Sequence, residues 1–345
     1  MGGVIIILAL LVSALLFCRL TNIYVLLLLL TTLWCGAIGF TDDYIKVFKH
    51  DKAGMPGPVK IILQVILGII IAITVCVNDQ VVVGRTVEAP ATETVAEGNA
   101  VAVNEVTFEK STVTTFPFIK NHSFDYNWLN PFKGDFGKTM QWIIYGLIIV
   151  LVVFFGSNGT NLTDGLDGLA AGSSVISGIM MIVLAGLGTS IVSAEHFRVM
   201  FIPGSEEIAV YLSAFAGAVI GFLYYNVFPA KVFMGDTGSL VLGGVMGVAM
   251  VLLRKELLLP VLCGVFAVEG LSVIAQRYYF KYTKHKYGEG RRIFKMTPLH
   301  HHFQKEGIPA LIQRPKKAIK ETRIVTSFWA AGVVCALLTW LLVWL

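Results

Sequence analysis

Nine long apolar runs constrain this chain more than any other feature. They fall at about 3–18, 23–40, 59–77, 139–156, 168–188, 206–227, 238–253, 257–279 and 324–344, each close to the roughly 17 to 25 residues that cross a bilayer as a helix. In lipid every backbone group must be bonded within its own segment, and no run alternates with period two, so the runs read as helices rather than as strands of a barrel. The expected fold is all-α: a polytopic membrane protein with about nine transmembrane helices in one domain, 1–345. Composition agrees, since 56% of the 345 residues are hydrophobic and 14% charged, with mean hydropathy +0.75. A soluble domain of that balance would precipitate.

The first run has no basic residue before it and no small-x-small site after it, so it reads as a retained helix and not as a secretory signal. Cys18, Cys35, Cys76, Cys263 and Cys335 lie in or at the ends of apolar runs without paired spacing. They suggest packing, not a disulfide framework or a metal knuckle.

Nine spans alternate sides. The gaps at 41–58, 157–167, 229–237 and 280–323 then share one face with the N-terminus. With Lys60 and Arg277 assigned to their nearest gaps, that face holds 18 of the 27 Lys and Arg, 13 of them from Arg277 to Arg323. The positive-inside rule makes it cytoplasmic. Residues 78–138 form a long segment on the opposite, extracytoplasmic side, and 280–323 a basic cytoplasmic loop.

Acids gather in the three gaps before that loop. GFTDDYIKVFKHDKAG holds Asp42 and Asp43 with Lys46 at helical spacing for pairing. GSNGTNLTDGLDGLAAG places Asn161, Asp164 and Gly168 on one helical face, with Asp167 three residues beyond Asp164. NVFPAKVFMGDTGSL puts Asp236 at a helix start and Phe233 just before it. Taken singly, the Asp pair reads as a solvated helix end and Asp164 and Asp236 as helix caps, while the glycines serve close helix packing. Five Asp from three gaps converging on one membrane face point instead to function, because acids at that boundary are costly. Carboxylates beside a basic loop suit Mg²⁺ held together with substrate phosphates. No G-x-x-x-x-G-K loop is present, which argues against P-loop nucleotide hydrolysis.

The stretch MTPLHHHFQ, with His300, His301 and His302, lies in the basic loop. Three adjacent rings after a proline point in different directions and lack the i, i+4 spacing of a zinc pair. One or two suit a structural role, and one facing the acids suits phosphate donation or proton transfer. Glu269, an acid inside an apolar run, suggests an interior hydrogen-bonded pair.

FTDDYIKV, NGTNLTDGLDGLAAG, FPAKVFMGDTGSL and MTPLHHHFQKEG, in this order and topology, resemble the phospho-N-acetylmuramoyl-pentapeptide transferases. The resemblance covers the chain outside about 78–138. The acidic motifs are shared with the wider polyprenyl-phosphate sugar-1-phosphate transferases, whereas the triple His is particular to the peptidoglycan branch. It implies transfer of phospho-MurNAc-pentapeptide from UDP-MurNAc-pentapeptide to undecaprenyl phosphate, giving lipid I and UMP, with Mg²⁺. It implies the bacterial inner membrane, a homodimer and no nucleic-acid partner. On this resemblance Asp42, Asp43, Asp236, His300, His301 and His302 are catalytic, and Asp236 with Asp164 holds the metal. Lys46 supports the acids or a phosphate, and Lys60 contacts phosphate. Asn161, Asp164, Gly165, Leu166, Asp167 and Asn226 form the uridine and metal neighbourhood, and Phe233 stacks on uracil.

Two departures stand out. The family has ten helices and a Lys-containing stretch before GTPTMGG; this chain starts at MGG, so a helix and basic loop are expected to be missing and donor binding weakened. Equal turnover with and without that segment would overturn this. The second departure is 78–138, an insertion whose NHS sequon at 121–123 reads as chance. Three other readings compete: a sibling transferase using UDP-GlcNAc, a proton-coupled transporter and an inactive scaffold. The triple His argues against the first. A transporter predicts midplane charges in broken helices and an inverted repeat, neither of which is apparent.

Overall fold

The structure, a computed structural model, describes residues 2–88, 104–116, 119 and 122–344. Its helices are α1 (Gly3–Phe17), α2 (Ile23–Phe48), α3 (Gly57–Val77), α4 (Gly134–Thr163), α5 (Leu169–Leu187), α6 (Ile191–His196), α7 (Glu206–Asn226), α8 (Gly235–Leu252), α9 (Leu259–Leu262), α10 (Gly264–Tyr287), α11 (Leu299–Gln304) and α12 (Glu321–Trp344). All nine apolar runs are helical, and seven of these helices are long and apolar enough to span a membrane unaided. This is a multi-pass membrane protein.

Two runs differ from expectation. Helix α1 has 15 residues, which at 1.5 Å rise per residue falls short of the roughly 30 Å hydrocarbon core. The run at 257–279 is no single span: Glu256–Leu262 and Gly264–Tyr287 meet at 84°. Pro260, which cannot donate, and Gly264 flank the break, the residue types that interrupt a helix.

The all-α expectation needs one local correction. Within 78–138, β1 (Val83–Glu88) pairs antiparallel with β2 (Asn104–Glu109), Val83 opposite Glu109, and β3 (Val113–Thr115) pairs with β4 (Ser123–Asp125). Runs such as NEVTFE and VTT carry the β-branched and aromatic residues that favour strands, and the Gly84 N–H of β1 donates to the Phe201 carbonyl at 2.9 Å. Much of this segment, including Asn121 of the sequon, lies outside the described residues.

Helix α8 is the axis of the bundle, buried from Thr237 to Leu252. A Cβ on Gly243 would lie 2.1 Å from the Gly156 carbonyl oxygen, so the backbones of α4 and α8 touch, as small residues permit in membranes. Helix α2 packs on another side of α8. Helices α2 and α4, which carry two of the acidic motifs, therefore both pack on α8, which carries the third, and the motifs lie at the same end. At that end Gly2 N–H and Gly3 N–H donate to the carbonyls of Phe233 (2.8 Å) and Met234 (2.9 Å). At the other, Asn22 Nδ2 donates to the Gly204 carbonyl at 3.0 Å, and Thr115 N–H to the Arg254 carbonyl at 2.9 Å.

Candidate active site

Helix α2 does not stop at the Asp pair but runs on to Phe48, so Asp42 and Asp43 leave it about 100° apart. They meet different partners. Asp42 is fully buried; its Oδ1 accepts the Met55 amide at 2.7 Å and lies 2.8 Å from Lys60 Nζ, and Lys46 Nζ is 2.5 Å from Oδ2. Asp43 turns to α8, where Oδ1 accepts Asp236 N–H at 3.1 Å and Oδ2 accepts Thr237 N–H at 3.0 Å and the Thr237 hydroxyl at 2.6 Å. It caps the start of α8 from a neighbouring helix, satisfying amides that have no partner within their own helix. Gly235, at φ +71°, makes this possible: a Cβ there would stand 2.5 Å from Asp43 Oδ2.

The cap fixes Asp236. Its Oδ2 receives Lys60 Nζ at 2.7 Å and Lys46 Nζ at 3.3 Å, and its Oδ1 receives Asn161 Nδ2 at 3.0 Å. Asn161 Nδ2 also reaches Ser239 Oγ at 2.9 Å. One oxygen from each of Asp42, Asp43 and Asp236 falls within 4.8 Å of the others. The donor set is all oxygen, as a hard divalent cation requires.

Beside Asp236 opens a cavity of about 250 Å³ lined by Asn161, Asp164, Gly165, Leu166, Asp167, Asn226, Phe233, Met234, Gly235 and Asp236. Every residue assigned to the nucleotide from sequence reaches it, but not along one helical face. Helix α4 ends at Thr163, Asp164 caps it, and Gly168 at φ +77° starts α5. Residues 164–167 form a turn, because the left-handed conformation that suits Gly168 breaks the helical period. Two of the residues build walls. Asp167 Oδ2 accepts Ala230 N–H at 2.9 Å, while Asn226 accepts Gly168 N–H at 3.1 Å and donates to the Val232 carbonyl at 2.9 Å.

Two others remain open. Phe233 is 68% exposed and offers a bare ring to the cavity. The Asp164 carboxyl makes no hydrogen bond among the described residues. Burial, then the charges of Asp236, Asp43 and Asp167, push its pKa up to about 7. An unpartnered carboxyl repelled by three others fits a site that takes a cation.

The histidines diverge as their adjacency requires. Buried His300 donates its backbone N–H to Glu269 Oε1 at 3.0 Å, and its Nδ1 lies 3.3 Å from Glu269 Oε2, out of line for a hydrogen bond. Glu269 is thus an interior hydrogen-bonded partner. The far edge of the His300 ring abuts the nucleotide cavity, since a Cβ on Gly165 would stand 2.3 Å from Nε2. His301, half-buried, pairs through Nδ1 with Gln304 Oε1 at 3.0 Å, and burial lowers its pKa. His302 holds the loop together: its Nδ1 accepts Lys295 N–H at 3.1 Å, and its Nε2 donates to the Arg314 carbonyl at 2.8 Å.

Sequence reasoning passed over several contributors. Thr237 completes the Asp43 cap, Glu321 Oε1 accepts Asp167 N–H at 2.9 Å, and Trp329 Nε1 donates to the Gly168 carbonyl at 3.1 Å. An acid opening the last apolar run was the available signal for Glu321.

A second, apolar cavity of about 480 Å³ runs between α4, α8 and the broken α9–α10, lined among others by Phe155, Thr160, Leu162, Pro260, Leu271 and Ile274. Phe155 and Leu271 are 53% and 61% exposed, so this groove opens sideways out of the bundle. Thr160 and Leu162 of α4 line the groove and Asn161 between them lines the polar cavity.

An acid cluster with its lysines beside a polar cavity at the end of a membrane bundle suits a membrane-embedded transferase, and residues 25–254 match the model for glycosyl transferase family 4. The phospho-N-acetylmuramoyl-pentapeptide-transferase of Parabacteroides distasonis is 51% identical over 342 residues, covering 98% of this chain and 81% of that protein. Those of Porphyromonas gingivalis (51% over 343 residues, 98% and 81%) and Flavobacterium johnsoniae (47% over 339 residues, 98% and 80%) are similar to it along nearly its whole length. The chain belongs to the phospho-N-acetylmuramoyl-pentapeptide transferases.

Proposed function

We propose that the chain transfers phospho-MurNAc-pentapeptide from UDP-MurNAc-pentapeptide to undecaprenyl phosphate, in the bacterial cytoplasmic membrane and as a homodimer. The observation that carries the reading is the end of α4, where Asn161 bonds Asp236 and lines the polar cavity while its neighbours Thr160 and Leu162 line the lipid-facing groove. A donor that is water-soluble at one end and an acceptor that is lipid at the other need such an arrangement. The acceptor's phosphate oxygen forms a bond to the sugar-bearing phosphorus, and the bond from that phosphorus to UMP breaks. One pyrophosphate replaces another, so the protein chiefly positions two anions and screens their repulsion.

Asp236 and Asp164 would hold Mg²⁺, which when bound neutralises pyrophosphate charge. Lys46 and Lys60 bind phosphate oxygens. Asp42 orients both lysines and lies near the acceptor phosphate as an electrostatic guide, because that phosphate is already largely ionised near neutral pH. Phe233 stacks on the uracil, and Gly165 and Leu166 shape the space around it. His300 and His301 cover the sugar phosphate, and His302 keeps their loop in place. Asp43 acts through Asp236, as a positioning residue.

The test is UMP release from UDP-MurNAc-pentapeptide with undecaprenyl phosphate, with and without Mg²⁺, and in the Asp236→Ala variant. Magnesium-dependent release that the variant loses is expected. Release from UDP-GlcNAc in preference to the muramyl donor would move the chain to a sibling chemistry, and release unaffected by Asp236→Ala would remove the metal assignment.

A further inference from the structure

The basic loop contains a third cavity, of about 620 Å³, lined by Tyr279, Arg291, Arg292, Leu311 and Gln313 among others. Its floor is built by pairing across the loop: Leu311 N–H donates to the Arg292 carbonyl at 2.8 Å, and Ile312 N–H to that of Ile293 at 2.9 Å. Two arginines line it, and among the described residues no carboxylate comes within 4.0 Å of either guanidinium. Arg291 rests over the Tyr287 ring at 4.9 Å, and Arg292 Nη1 lies 3.4 Å from the Lys295 carbonyl. Each has one such contact, and no other partner of either guanidinium lies among the described residues. Paired guanidinium groups without a counter-anion suit carboxylates, which they grip bidentately.

The cavity is linked to the nucleotide site through one short helix. At the start of α11, His300 abuts Gly165; two residues on, His302 bonds the backbones of Lys295 and Arg314, neighbours of Arg292 and Gln313 in the loop. The six residues of α11 span about 9 Å. Five peptide residues extended from a sugar at the nucleotide cavity reach about 17 Å. A linear peptide ends in a carboxylate, so the reach and the charge agree.

We infer that the Arg291–Arg292 cavity is the subsite for the carboxylate-bearing peptide of the donor, and that it selects donors carrying the peptide from those that lack it. The inference rests on the donor reading above. Its test is the dissociation constant of the intact protein, in detergent with Mg²⁺, for two nucleotides: UDP-MurNAc-pentapeptide and peptide-free UDP-MurNAc. The wild type should bind the peptide form at least about tenfold more tightly, and the double variant R291Q/R292Q should erase that preference while binding UDP-MurNAc as before. Unchanged UDP-MurNAc binding also shows that the variant is folded. No preference in the wild type, a preference that survives in the variant, or equal weakening of both nucleotides would overturn the subsite. If the wild type bound neither nucleotide, the donor reading itself would fall and the subsite with it.

Discussion

The two adjacent acids of α2 should fail in different ways when each is changed to asparagine. Asp43 accepts from Asp236 N–H, Thr237 N–H and the Thr237 hydroxyl, so an amide NH₂ in place of either oxygen sets donor against donor. One or two buried donors lose their acceptor, at about 1–3 kcal/mol each, and the helix start loses a favourable charge worth about 0.3–1 kcal/mol. The expected destabilisation by Asp43→Asn is about 2–4 kcal/mol. Asp42→Asn keeps an oxygen for Met55 N–H, and its lysines, whose side chains are 36% and 21% exposed, retain Asp236. The new NH₂ faces one of these lysines, which can turn toward solvent as the amide donors at Asp43 cannot, so the cost should be smaller, about 1–2 kcal/mol, and turnover should suffer because the lysines lose their orienting partner. The assay is thermal unfolding of the detergent-purified variants beside UMP release. A midpoint for Asp42→Asn as low as that for Asp43→Asn, or no loss in Asp43→Asn, would refute the division of labour.

Three further outcomes follow from the site. The Asp164 carboxyl, ordinarily near 3.8, is raised to about 7 in the fold; the folded form then binds more protons than the unfolded one between these values, so metal-free stability should fall as pH rises from about 4 through 7. Asp164→Asn should flatten that decline, which pH-dependent thermal unfolding will show, and an unchanged slope would contradict it. Gly165→Ala should cut kcat/KM by about one to two orders of magnitude, as expected from about 1–3 kcal/mol of overpacking against His300; in a cycle with His300→Ala the two losses should be less than additive, and strict additivity would show that the two do not touch in solution. Phe233→Leu should raise KM for the donor several-fold with little change in kcat, whereas Phe233→Tyr should leave both nearly intact; equal damage by the two would argue against stacking.

Much of this was legible in the sequence for a simple physical reason: in a bilayer, apolar length and backbone satisfaction leave helices as almost the only solution. The runs gave the helices, and the motifs gave the residues that meet at one end. What could not be read was direction. The period of 3.6 placed Asp164 and Gly168 on a common helical face, but Gly168 takes a left-handed backbone that ends the helix between them, and a single Gly in a Gly-rich stretch does not announce its φ. Asp42 and Asp43 look equivalent as letters; only the crossing of α2 with α8 separates a capping acid from an ion-paired one. The break at Cys263 was masked because apolar composition continues through it, and the strands in 78–138 because each is only three to six residues long, too short for an alternation such as that of NEVTFE to stand out.

The 84° break between α9 and α10 has a kinetic consequence. On the proposed function, the groove beneath it, which opens to the side of the bundle, would let the acceptor approach by diffusion within a sheet of lipid without crossing water. Its effective concentration is then a mole fraction of the surrounding membrane. Diluting the reconstituted enzyme with buffer should leave acceptor saturation untouched, whereas adding inert phospholipid at a fixed amount of acceptor should desaturate it. The donor arrives in three dimensions and the acceptor in two, and the bend is the part of the fold that makes the second route available.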